Sequence, residues 1–157
     1  MRFQWLKDYQ ELEEQILYLK WNLNKSNLEL RRWTSGDLSN VRLEKNSRSS
    51  SLEENIGKIV NEIALLETQK EELILLIESF KGVENEIVKM KYIQEMNLED
   101  IAEETGYSAS YIRKKHAEIR SKLNFLDDYE SKSQSRRDKE SEIDYYKEKE
   151  RKQLSLF

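Results

Sequence analysis

Two stretches of the sequence place apolar residues in alternating steps of four and three, and that spacing dictates paired long helices. The first is Trp5, Tyr9, Leu12, Ile16, Leu19, Leu23, Ser26, Leu30 and Trp33. The second is Leu52, Ile56, Ile59, Ile63, Leu66, Lys70, Leu73, Ile77 and Phe80. Such steps keep one narrow stripe facing a partner helix, the seam of a coiled coil. Nothing breaks the pattern by force, since the chain has no proline and only 4 glycines. Ser26, among Asn22, Asn24 and Asn27, is a weak point of the first seam, and Lys70 in the second is a polar member that costs stability and fixes register or partner. The spacing predicts helices over 1–33 and 51–81, separated by a Ser/Asn-rich loop at 34–50. Ser50 with Glu53, or Ser51 with Glu54, offers a capping box for the second helix. Folded back on itself the pair is an antiparallel hairpin; exchanged between two chains it is a homodimer. The fold class is all-α.

Composition removes several functions. The chain has no cysteine and one histidine, so thiolate and histidine metal sites are excluded and no cofactor is expected. The longest apolar run, Leu73 to Ile77, is too short to span a bilayer, and the charged N-terminus does not read as a signal segment. A cytoplasmic protein with no membrane partner is expected. No nucleophile–base pair or phosphate-binding glycine loop is present, so an enzyme is not expected. A net charge of −4 and a pI near 5.3 argue against indiscriminate nucleic-acid binding. One local basic patch remains compatible with DNA.

Such a patch is present in residues 83–126. Gly82 ends the second long helix, and 83–96 predicts a short support helix with Ile87, Met90 and Ile93 inward. Asn97 is placed to cap a helix with Glu99 and Asp100 in its first turn, and Leu98, Ile101 and Ala102 form its apolar face. Gly106 is the turn residue. Ser108 caps a second helix whose stripe is Ile112, His116, Ile119 and Leu123. The charge reverses at that turn. From Glu84 to Tyr107 there are seven acidic and two basic residues; from Ser108 to Leu126 there are five basic and one acidic. A short turn between two helices, the second basic, predicts a helix-turn-helix.

Residues Glu84 to Leu123, with their I-V-x-M-x-Y-I segment and L-E-D-I-A-E-E-T-G-Y-S, are similar to region 4 of bacterial sigma factors. The run from about residue 15 to 129 resembles the small phage transcription regulators of the ArpU/RinA type. The features that carry this are L-E-L-R-R-W near residue 30, the Ser-rich loop, the heptad helix and G-Y-S-x-S-Y-I-R-K-K-H. The resemblance implies an activator of phage late genes that binds promoter double-stranded DNA, with RNA polymerase as a possible partner and a place at the nucleoid. It implies that Ser108, Ala109, Ser110, Tyr111, Arg113 and Lys114 lie at the major groove. Arginine near the start of a recognition helix commonly reads guanine. Lys115, Arg120 and Lys122 are better placed for phosphates, which position without specifying. One departure is Lys115, which stands where sigma factors carry an apolar residue. His116 then takes the inward place as a packing residue.

From 127 to 152 the sequence carries nine acidic and eight basic residues and too few apolar ones for a core. It reads as a solvated helix or a disordered tether. It ends in Gln153, Leu154, Ser155, Leu156 and Phe157, which resembles the peptide that binds the bacterial DNA sliding clamp at all five positions. In that reading the apolar side chains fill pockets on the clamp and Gln153 bonds the rim. Folding back onto the domain is the other use for them. A second function follows: a clamp-binding interaction protein that hinders host replication without sequence-specific DNA binding.

Overall fold

A computed structural model describes residues 2–36 and 42–155, and every element in these spans is a helix. They are α1 (Arg2–Lys7), α2 (Tyr9–Thr34), α3 (Arg42–Ser79), α4 (Val83–Val88) with a π-helical turn at Lys89–Ile93, α5 (Leu98–Thr105) and α6 (Ala109–Ser155). The all-α fold class is as the sequence indicates.

Helices α2 and α3 pack on one another as an antiparallel hairpin. Their direction is plain from two ion pairs that climb it like rungs, Glu13 with Lys70 at 3.3 Å and Lys20 with Glu67 at 2.8 Å. Lys70, the polar seam residue, therefore does not lie stranded among leucines. It reaches the carboxylate opposite, which also accepts a hydrogen bond from Tyr9. Burial and that carboxylate push the Tyr9 phenol up to about 12. The seam is tightest toward the base, where Tyr9, Leu12 and Ile16 meet Leu73, Ile77 and Phe80.

At this base the hairpin joins the remaining helices in one core. Ile87, Val88 and Tyr92 of the α4 segment, Ile101 and Ala102 of α5, and Ile112, Ile119 and Leu123 of α6 complete it. Nine of its large side chains are essentially without solvent contact, Leu6 and Leu73 among them. At about 1.5–3 kcal/mol for each fully buried aliphatic or aromatic side chain, this cluster is the main source of stability.

Four expectations are corrected. The loop predicted at 34–50 is helical from Arg42 onward, so Ser50 and Ser51 lie inside α3 and cap nothing. No glycine or proline occurs between 37 and 56, and an extending helix tolerates serine at a few tenths of a kcal/mol each. Residues 37–41 of that loop lie outside the described residues. Next, the first helix is not continuous, because it breaks at Asp8 between α1 and α2. Leu6 is fully buried there while Trp5 packs half-buried against the core, and α1 faces α3 and α6 as well as α2. In the support helix, Ile87 is buried and Met90 and Ile93 pack half-buried on the core as expected, but Val88 and Tyr92, not foreseen, are buried as well. The π-turn adds a residue to one turn and so shifts the inward phase by about 100°. Finally, the charged stretch from residue 127 begins as part of the fold. The Asp127 carboxylate accepts from the Arg2 backbone N–H at 2.9 Å, capping α1, and the Arg2 side chain bonds Glu72 and Glu130.

Beyond this anchor α6 continues to Ser155 as one 47-residue helix, exposed from Gln134 onward. Of the two forms expected for the charged tail, it takes the solvated helix.

Candidate nucleic-acid interface

The turn between α5 and α6 is built by three local bonds. The Asn97 side chain accepts from the Asp100 backbone N–H at 2.8 Å, which starts α5. Gly106, at φ 80° and ψ 0°, ends α5 in the left-handed region and donates its N–H to the Ala102 carbonyl. Ser108 Oγ accepts from the Tyr111 N–H at 3.1 Å and starts α6. Three residues thus link the two helices, and Ile101, Ala102 and Ile112 share the core on either side of the turn.

Burial of Ile112, Ile119 and Leu123 fixes which way α6 faces. At 100° per residue the opposite face carries Ser110, Arg113, Lys114, Ala117 and Ser121, all exposed. Arg113 and Lys114 have no acidic partner among the described residues. They point away from the core into solvent, which suits a groove-reading strip. The neighbouring α5 presents exposed Glu99, Asp100, Glu103 and Glu104. That acidic flank confines any polyanion to the α6 side.

The other sequence-nominated residues divide. Ser108 is exposed and acts as the cap; Ala109 packs on the core. Tyr111 is half-buried with its ring 4.9 Å from that of Tyr107. Lys115 and Lys122 lie on one flank of the free strip, and each has an intramolecular partner. Lys115 bonds Glu118 at 3.3 Å, a bond that holds its ammonium above the usual lysine range. Lys122 bonds Glu84 at 2.7 Å. Arg120 lies on the other flank, exposed, without such a partner among the described residues.

Arg120 instead joins a cleft that sequence reasoning missed. The cleft has a volume of 640 Å³ and is lined by Phe3 and Lys7 of α1, Lys91 and Tyr92 of the π-turn, and one edge of α6. His116, half-buried, faces Tyr92 with its Nε2 3.0 Å from the tyrosine hydroxyl. Its imidazole is held below the usual histidine range, first by burial and then by Arg120 and Lys91. Burial raises the Tyr92 phenol despite the opposing effect of Arg120. Lys7 rests over the Phe3 ring at 4.2 Å. Lys91 lies within the π-turn, which a periodicity of 3.6 residues does not foresee.

At the far end, Gln153, Leu154 and Ser155 form the last turn of α6, exposed, with Leu154 not folded back onto the core. Leu156 and Phe157 lie outside the described residues. Among the described residues no acidic, histidine or cysteine cluster is arranged for a metal ion, and no helix is long and apolar enough to cross a membrane. No protein-family model, curated protein or solved structure matches the chain.

Proposed function

We propose that this protein is a helix-turn-helix transcription regulator that binds double-stranded promoter DNA through the first turns of α6 and switches on phage late genes. The observation that carries the reading is the exposed strip Ser110, Arg113 and Lys114, whose cations lack acidic partners while the flanking Lys115 and Lys122 have them. In a chain of net charge −4, two adjacent unpaired cations on an exposed helix face support a local positive field of the kind that phosphate neutralisation needs. In this reading the terminal peptide, Gln153 to Phe157, docks on the host sliding clamp. Holding a regulator on a ring that tracks along DNA raises its effective concentration at promoters.

Fluorescence anisotropy with duplex DNA at several salt concentrations tests the reading. Arg113→Gln with Lys114→Gln is expected to weaken binding by about 1–3 kcal/mol per lost base contact and by less for a phosphate contact. Lys115→Gln with Lys122→Gln is expected to change affinity by less than about threefold, because those ammonium groups already have carboxylate partners. An intact protein with no salt-dependent affinity for duplex DNA overturns the proposal.

The exposure of Leu154 at the tip of a projecting helix favours one second reading, a clamp-binding interaction protein that acts without DNA. Clamp capture together with absent DNA affinity selects it.

A further inference from the structure

We infer that the cleft between α1, the π-turn and α6 is a phosphate site, walled by Lys7, Lys91, His116 and Arg120, that seats a backbone phosphate of the bound duplex. The inference rests on the DNA-binding reading and extends it to residues outside the recognition strip.

Charge is the first argument. Three cationic side chains converge on the cleft from three separate elements, and its lining contains no carboxylate. Elsewhere the chain is lavish with acids, 31 against 27 basic residues. Several lysines outside the cleft, Lys20, Lys70, Lys115 and Lys122 among them, lie within 4 Å of a carboxylate, whereas Lys7, Lys91 and Arg120 have no such partner among the described residues. Like charges gathered without a counter-charge are unfavourable in the folded state, and an anion offsets the repulsion.

Donor chemistry is the second. Lysine ammonium groups, a guanidinium, the imidazole, the Ser121 hydroxyl and the Asn124 amide all border the space. These are the groups that hold phosphate oxygens in protein–DNA contacts. Backbone construction is the third. Lys91 reaches the cleft from a π-helical turn, an irregularity that recurs at functional sites. Position along α6 is the fourth. Arg120 follows Arg113 by seven residues, about 10 Å along the helix axis, and borders the same exposed face. A duplex laid on the strip passes the cleft within a few nucleotides.

The same chemistry accommodates inorganic phosphate, so the test separates the two sources. His116 is the only histidine, and its imidazole signal in an NMR titration is therefore unambiguous. Duplex DNA and, separately, inorganic phosphate are added to the full chain. Both are expected to raise the imidazole pKa, since an anion in the cleft counters Arg120 and Lys91. In anisotropy assays, Lys7→Gln with Lys91→Gln is expected to make the slope of log affinity against log salt less negative by about 1. Arg120→Gln alone is expected to move it in the same direction and guards against a folding defect in the double variant. If DNA binds but the slope is unchanged and His116 is silent to both ligands, the cleft assignment is overturned while the DNA-binding reading stands. If phosphate moves His116 and duplex does not, the site is a free-phosphate site and its DNA role is overturned. Silence to both ligands with no DNA affinity removes both readings.

Discussion

A methyl group added at Gly106 meets no atom within 4 Å, yet its φ of +80° is a conformation that L side chains enter at a cost. Gly106→Ala is therefore expected to destabilise the protein by about 1–2 kcal/mol in urea denaturation, with no steric component. A change under about 0.3 kcal/mol would show that the turn relaxes. His116 is the other residue whose surroundings make a prediction. Its pKa in the folded chain is lowered, so the unfolded chain binds more protons as the pH falls below the ordinary histidine value of 6.5. The stability it contributes is complete above that value and is lost as the pH falls from there toward the folded pKa. His116→Gln should flatten this part of the stability curve, measured by thermal melts between pH 7.5 and 5. An unchanged slope sinks the assignment. Removing the hydroxyl partner with Tyr92→Phe is expected to cost about 0.5–1.5 kcal/mol at neutral pH.

At the scale of elements, the contrast between inner and outer faces is measurable within α3. Leu73 has no solvent exposure, whereas Leu65 is 72% exposed. Leu73→Ala is expected to cost about 2–5 kcal/mol and Leu65→Ala less than about 0.5 kcal/mol. Comparable losses at both positions would mean that the outer face is covered. Most of this architecture was legible in the sequence, because heptad spacing, the Asn97 and Ser108 caps and the left-handed Gly106 are all local signals. The misread parts are those where a non-local partner or a change of phase decides. Serine-rich sequence from Arg42 reads as loop but is extended as helix, with no breaker to stop it. Leu6 takes the deepest place beside a half-buried Trp5 because α1 also faces α6, a partner some 120 residues away. At the π-turn Val88 and Tyr92 take the fully buried places, and Met90 and Ile93 pack half-buried at the edge of the core. For the same reason the recognition strip could be nominated residue by residue, whereas the cleft, assembled from three elements, could not. Lys115 and Lys122 read as phosphate contacts from their charge and place along the helix; their partners Glu118 and Glu84 emerge only once the faces of α6 are fixed.

The whole molecule places its two proposed contacts at opposite ends of one helix. Deleting Gln153 to Phe157 is expected to abolish capture by immobilised sliding clamp and to leave duplex affinity within about twofold. Loss of both activities, or of neither, would sink the modular arrangement. From Leu126 to Leu154 the helix advances about 42 Å at 1.5 Å per residue, while Asp127 and Glu130 fasten its root to Arg2. The unbroken run of α6 also sets an angular relation, because each residue turns the terminal peptide by 100° relative to the strip at Arg113 and Lys114. Inserting seven residues after Ser135 returns the peptide to within about 20° of its original bearing, whereas inserting two swings it by about 200°. If both contacts form at once, simultaneous binding of duplex DNA and clamp should survive the longer insertion better than the shorter one. The helix would then serve as a gear that keeps two docking sites in phase.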